Sequence, residues 1–159
     1  MKIAIGSDRR GYVYKTEIIK HLSQNGYIVK DLGPYDCHYP VDYPIYGKLV
    51  GEEVSNKTCD KGIVICATGI GIMIACNKIN GVRCGIGYTD EVAKLMRQHN
   101  DANVIAFGQD YMELNDVLQR VDIFLETDFL ADYHRTRIKQ ITDIENGIDI
   151  YQTPYINIK

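Results

Sequence analysis

The sequence has no apolar run approaching about 20 residues and no charge-then-apolar pattern at its start. A membrane span and a secretory leader are therefore not expected, and the reading is a cytoplasmic protein. It lacks a run of like charge: the formal net charge is −3 and the basic residues are scattered, which recommends neither a nucleic-acid partner nor an anionic membrane surface. It also lacks C-x-x-C spacing. The five cysteines, Cys37, Cys59, Cys66, Cys76 and Cys84, are odd in number, an arrangement that argues against a disulfide framework or a zinc site. No internal repeat and no low-complexity tract interrupts the chain.

What is present is the composition of an ordinary globular protein. A chain of 159 residues with 45% hydrophobic and 25% charged residues and only four prolines is long enough for one domain that buries most of its own core. Short apolar runs at 2–6, 27–32, 60–66, 82–86 and 102–107 read as strands. Between and after them, 12–25, 45–55, 88–98 and 112–126 read as helices, the last with Leu114, Val117, Leu118, Val121 and Phe124 on one face. The alternation predicts an α/β fold, a three-layer, doubly wound, mostly parallel five-stranded sheet of the Rossmann-like type, with its ligand beyond the carboxyl ends of the strands.

One stretch stands apart, Gly62-Ile63-Val64-Ile65-Cys66-Ala67-Thr68-Gly69-Ile70-Gly71-Ile72-Met73-Ile74-Ala75-Cys76-Asn77-Lys78-Ile79. It reads as a buried strand ending on a thiol, a Thr-Gly-x-Gly turn and a packed helix. Such a turn sets a nucleophile or base beside unpaired backbone N–H groups, which attract an anion or a developing negative charge. It is neither a phosphate loop, lacking Gly-Lys-Ser/Thr, nor a full dinucleotide fingerprint, since Ile74 stands where a third glycine is needed. Read alone, the turn serves tight packing or a ligand, and Cys66 is either a small buried residue or a reactive one. Asp8 either caps the first helix or acts in the site. His99 is a helix terminus or a catalyst. Arg135 and Arg137 either solvate a helix that continues through Ile138, Ile141 and Ile144 or hold a phosphate, and Arg9 and Arg10 can join them.

Taken together, Ile5-Gly6-Ser7-Asp8, Val41-Asp42-Tyr43-Pro44, Gly62 through Gly71, Ala75-Cys76-Asn77-Lys78 and His99-Asn100-Asp101-Ala102-Asn103-Val104 resemble the ribose-5-phosphate isomerase B family, which includes the galactose-6-phosphate isomerase subunits. The resemblance covers about residues 1–146, an isomerase domain, and leaves 147–159 as a tail that packs on a partner subunit or stays mobile. It implies an aldose–ketose isomerase of sugar phosphates with no cofactor and no metal, assembled as a homodimer or dimer of dimers with active sites at subunit interfaces. By resemblance Cys66 is the base between C2 and C1 of the open-chain sugar, and Thr68 handles the proton on the oxygen side. The backbone from Ala67 through Gly69, Ile70 and Gly71 holds the enediolate oxygen. His99 assists ring opening, Asp8 and Tyr43 orient or protonate sugar oxygens, Asn100 binds the sugar and Arg137 the phosphate.

The departures from that pattern concern charge. Arg9-Arg10 stands where the family usually has His-Gly, Asp110 stands near a usual arginine, and Tyr133 replaces a phosphate-binding arginine. These changes should weaken phosphate binding unless Arg9, Arg10 or Arg135 compensates. Ribose 5-phosphate is the first substrate expected. A six-carbon sugar phosphate such as galactose 6-phosphate follows, then an unphosphorylated sugar. A noncatalytic sugar-binding subunit and a nucleotide-binding or redox domain are the readings from other classes.

Overall fold

The computed structural model describes residues 1–154. Five strands, β1 (Lys2–Ser7), β2 (Ile28–Asp31), β3 (Lys61–Cys66), β4 (Cys84–Ile86) and β5 (Val104–Gly108), form one sheet in the order β2-β1-β3-β5-β4. Every pairing is parallel. Six helices connect or follow them: α1 (Tyr12–Gln24), α2 (Tyr43–Ser55), α3 (Ile70–Cys76), α4 (Asp90–Gln98), α5 (Leu114–Glu126) and α6 (His134–Glu145).

The three central strands are runs of β-branched and small apolar residues because both of their faces are covered. Ile3, Ile5, Ile63, Ile65, Ile105 and Phe107 point to one face and pack on α1, α4 and α5 through Ile18, Leu22, Ala93, Val117 and Phe124. Ala4, Val64, Cys66, Val104 and Ala106 point to the other, against Val50 and Val54 of α2 and Ile72 and Cys76 of α3. The alternation within each strand therefore sorts two layers of helices, giving the three-layer α/β architecture. Chain connections leave β1 and β3 toward opposite faces, α1 on the first and α3 on the second. The crevice between the carboxyl ends of these two neighbours is a topological switch point, where sheets of this kind bind ligands.

The strand at 82–86 is shorter than its pattern suggests, because side chains take over its outer hydrogen bonds. Asn103 Oδ1 accepts from the Arg83 N–H at 2.8 Å, and the Asn77 amide both accepts from the Cys84 N–H at 2.8 Å and donates to its carbonyl at 2.9 Å. This occupies part of an edge that would otherwise invite another strand. The helix expected at 45–55 begins two residues earlier, with Pro44 in its first turn, where a missing N–H costs nothing. The cluster from His134 to Arg137 forms the first turn of α6, the helix that continues through Ile138, Ile141 and Ile144.

Residues 147–154 fold back along α6: the Ile148 N–H donates to the Asp143 carbonyl at 2.9 Å and the Gln140 amide to the Tyr151 carbonyl at 2.8 Å. The rest of the expected tail, 155–159, lies outside the described residues. Among the described residues no helix is long and apolar enough to cross a membrane.

Candidate active site

The crevice is assembled from three adjacent strand ends. The Asp8 N–H donates to the Ile65 carbonyl at 3.1 Å, extending the ladder past Ser7 and bringing Asp8 alongside Cys66. Asp8 Oδ1 accepts from the Gly11 N–H at 2.9 Å and so ties down the turn into α1. On the other side Cys66 is in register with Gly108, and beyond it the Gln109 and Asp110 N–H groups donate to the carbonyls of Cys66 and Ala67 at 3.0 and 3.1 Å. The thiol thus sits on a rigid platform, only 4% exposed.

Around that thiol the backbone turns sharply. Cys66 Sγ accepts from the Gly69 N–H at 3.1 Å, and Thr68 Oγ1 accepts from the Ile70 N–H at 3.2 Å. Two of the amide groups that the resemblance assigns to an anion cradle thus donate to acceptors within the turn. Gly69 has φ +79°, and a Cβ there would meet the Phe107 carbonyl carbon at 2.9 Å, so both conformation and space demand glycine. At Gly71 a Cβ would lie 2.7 Å from Tyr43 Cζ. The half-exposed Tyr43 ring, carried by the first residue of α2, therefore lies directly over the start of α3.

Two arginines flank the mouth. Arg10 is committed: its Nη2 and Nε donate to Asp110 Oδ2 at 2.7 and 3.3 Å. This pair opposes the expectation that Arg10 offers a free charge to phosphate. Arg9 is exposed and has no ion pair among the described residues; with Arg10, Val13, Cys37 and Gln109 it lines a cavity of about 260 Å³.

His99, Asn100, Arg135 and Arg137 lie elsewhere. His99 caps the carboxyl end of α4, and the loop it opens runs to Val104, the first residue of β5. Cys66 is level with Gly108, the last residue of β5. The four strand steps between those positions span about 13 Å, so the sheet separates His99 and Asn100 from Cys66 within one chain.

At this amino end a stack of rings takes over. His99 lies on His134 with ring centroids 4.3 Å apart and planes at 13°, and Tyr133 lies 4.2 Å from His134. The Arg137 guanidinium sits 4.8 Å above the Tyr133 ring, with Nη1 3.5 Å from His134 Nδ1. His134 is buried, and burial first, then His99 and Arg137, hold its pKa below the ordinary value of 6.5 against the opposing pull of Asp132. Arg135 is exposed on the same turn. Tyr133 thus serves as a platform for Arg137.

Sequence reasoning passed over the role of His134. The available signal was its spacing, three residues before Arg137 on one helix face. It also passed over Asp101, whose carboxylate binds Arg83 and Arg97 at 2.7 and 2.8 Å beneath the His99 loop. Among the described residues, no group of three or more His, Cys, Asp or Glu side chains is placed to hold a metal ion.

Comparison with known proteins places this geometry in context. The family model described as Ribose/Galactose Isomerase matches residues 3–141. Ribose-5-phosphate isomerase B of Escherichia coli K12 is 40% identical over 144 residues, 91% of this chain and 96% of that protein. Among solved structures, ribose-5-phosphate isomerase B of Clostridium thermocellum superposes with a TM-score of 0.91 at 44% identity, covering 92% of this chain and 99% of the other. The Mycoplasma genitalium ribose-5-phosphate isomerase B with bound ribulose-5-phosphate gives a TM-score of 0.88 at 35% identity, covering 91% and 96%.

Proposed function

The chain belongs to the Ribose/Galactose Isomerase family, and on that premise we propose that residues 1–146 interconvert ribose 5-phosphate and ribulose 5-phosphate through an enediolate. The observation that carries this reading is the buried Cys66 thiol at a strand end, bonded to the Gly69 N–H and flanked by Asp8. A proton beside a carbonyl is weakly acidic, so its removal requires both a base and a place for the charge that develops on oxygen. Cys66 takes the proton from C2 of the open-chain aldose and returns it at C1. Thr68 passes the accompanying proton between the two oxygens. The N–H groups of Gly69 and Ile70 exchange their internal acceptors for the enediolate oxygen, joined by the backbone of Ala67 and Gly71. Oxidation at one carbon balances reduction at its neighbour, so the step needs no redox cofactor.

His99 moves the proton that opens the ring, Asp8 and Tyr43 orient the sugar hydroxyls, Asn100 binds the sugar, and Arg137 and Arg9 bind phosphate. Because His99, Asn100 and Arg137 lie across the sheet from Cys66, a second copy of the chain supplies them, in a homodimer or a dimer of such dimers. Half-exposed Ile70 and Ile74 on α3 and exposed Ile144 on α6 supply apolar surface for that assembly. A cytoplasmic setting suits five free cysteines. The Arg10–Asp110 pair favours one second reading, a six-carbon sugar phosphate whose phosphate lies farther from that pair.

The test is NMR in D₂O with ribose 5-phosphate, galactose 6-phosphate and free ribose, run beside Cys66→Ala. Ketose formation with deuterium entering at the carbons next to the carbonyl is expected for ribose 5-phosphate, and C66A should lose at least about 10³-fold in rate while still folding and binding sugar. Equal rates for wild type and C66A would overturn the base assignment. Absence of exchange with every sugar would overturn the isomerase reading.

A further inference from the structure

A second cavity, of about 430 Å³, opens at the opposite end of the sheet from Cys66, where β3 and β5 begin and the segment before β4 passes. Lys57, Asp60, Lys61, Arg83, Asp101 and Asn103 are among its lining residues. Charge is unevenly matched here. Asp101 spends one carboxylate oxygen on Arg83 and the other on Arg97, and Asp60 Oδ2 accepts from the Lys2 N–H at 2.6 Å. The backbone of Lys61, the first residue of β3, pairs with Ile3 of β1, but its ammonium has no hydrogen bond or ion pair among the described residues and is only partly open to solvent.

We propose that this cavity binds a small tetrahedral oxyanion of the phosphate or sulfate class between Lys61 and Arg83. A cation held close to other cations, without a carboxylate oxygen of its own, gains most from an anion that it can share with them. The groups that act on Lys61 are Arg97 from α4, Arg83 ahead of β4, Asp101 from the loop after α4, and its chain neighbour Asp60. Burial first, then Arg97, lowers the Lys61 pKa to about 8, with Asp101 opposing and Arg83 adding to the fall. The nearby Cys59 thiol is pushed up by its own burial and brings no negative charge at neutral pH. An oxyanion therefore binds with proton uptake by Lys61, and binding weakens as pH rises above about 8.

Occupancy has a route to the other end of the loop. Arg83 Nε donates to the carbonyls of Asn100 and Asp101, each at 3.0 Å, and Asp101 holds a left-handed backbone at φ +45°. An anion that draws on Arg83 pulls on the segment carrying His99 and Asn100. That consequence rests on the catalytic reading of His99; binding itself does not.

The experiment follows the Lys61 ammonium by NMR in full-length wild-type protein across pH 6.5–9.5, with and without sulfate, whose charge is constant over that range. Sulfate should raise the Lys61 midpoint by about one pH unit or more, and Lys61→Met should weaken sulfate binding, measured by calorimetry at pH 7, at least about tenfold. An unchanged midpoint, or equal sulfate affinity in wild type and K61M, would overturn the site. The wild-type titration reads the site even if K61M folds poorly. Inorganic phosphate and ribose 5-phosphate, added separately to C66A, distinguish a free anion from a sugar phosphate as the source. No arm depends on turnover, so failure here is separate from failure of the isomerase reading.

Discussion

The two ends of the sheet are built by different means. At the carboxyl end, Asp8, Cys66 and the Gly69 turn are held by main-chain hydrogen bonds across three neighbouring strands. At the amino end, His99, His134, Tyr133 and Arg137 are held by ring stacking and a cation over an aromatic face. Main-chain ladders fix atoms tightly, as proton abstraction demands. Stacked side chains on a helix and a loop can adjust, which suits the proposed meeting with a ligand presented by another copy. On the proposed reading the chemistry is prepared within the chain, and recognition of ring oxygen and phosphate is prepared for a neighbour.

The largest effect that would break this comparison is complementation. C66A and Arg137→Ala proteins, each nearly inactive, should regain about a quarter of wild-type activity when mixed and allowed to exchange subunits, since half of the dimers are mixed and each has one intact site. No recovery in verified mixed dimers would mean that both ends serve a site within one chain.

Next in size, Gly69→Ala should strain a backbone at φ +79° and displace the amide donors, lowering kcat about 10²-fold or more while KM changes little. Steady-state kinetics beside a thermal melt would check it; unchanged kcat in a folded variant would remove the turn from the charge-stabilising role.

Asp110→Asn sharpens the comparison from the mouth of the crevice. Releasing Arg10 from its 2.7 Å pair should lower KM for ribose 5-phosphate about two- to fivefold without changing the melting temperature, because the pair is exposed. A higher KM would show that Arg10 does its work only when held.

The smallest effect is the stability of the ring stack toward acid. His134 has a folded-state pKa below its ordinary 6.5, so the unfolded chain binds more protons between those two values. Stability is complete above 6.5 and falls as pH drops from 6.5 through the folded pKa. Denaturant melts at pH 7.5 and 5.5 should show that loss in wild type and a smaller one in His134→Gln.

Much of the first region was legible because its information is local. A β-branched run ending on Cys66, followed by Thr-Gly-x-Gly, specifies strand, turn and helix from neighbouring residues alone, and the same holds for Asp8 at the end of β1. The Arg10–Asp110 pair was not legible, since its partners stand 100 residues apart and no spacing rule links them. The same reason hid the stacking of His99 on His134 and the sharing of Asp101 between Arg83 and Arg97.

By itself the sequence determined the alternation of strands and helices, the parallel sheet that this alternation requires, and the thiol, aspartate and glycines at strand ends, because hydrophobic period and backbone conformation are properties of short segments. Only the tertiary structure decided that strand order places β3 beside β1, that Arg10 spends its charge on Asp110, and that His99 and Arg137 lie across the sheet from Cys66. Those outcomes depend on which distant segments meet, and the global packing of the two helical layers on the sheet settles that.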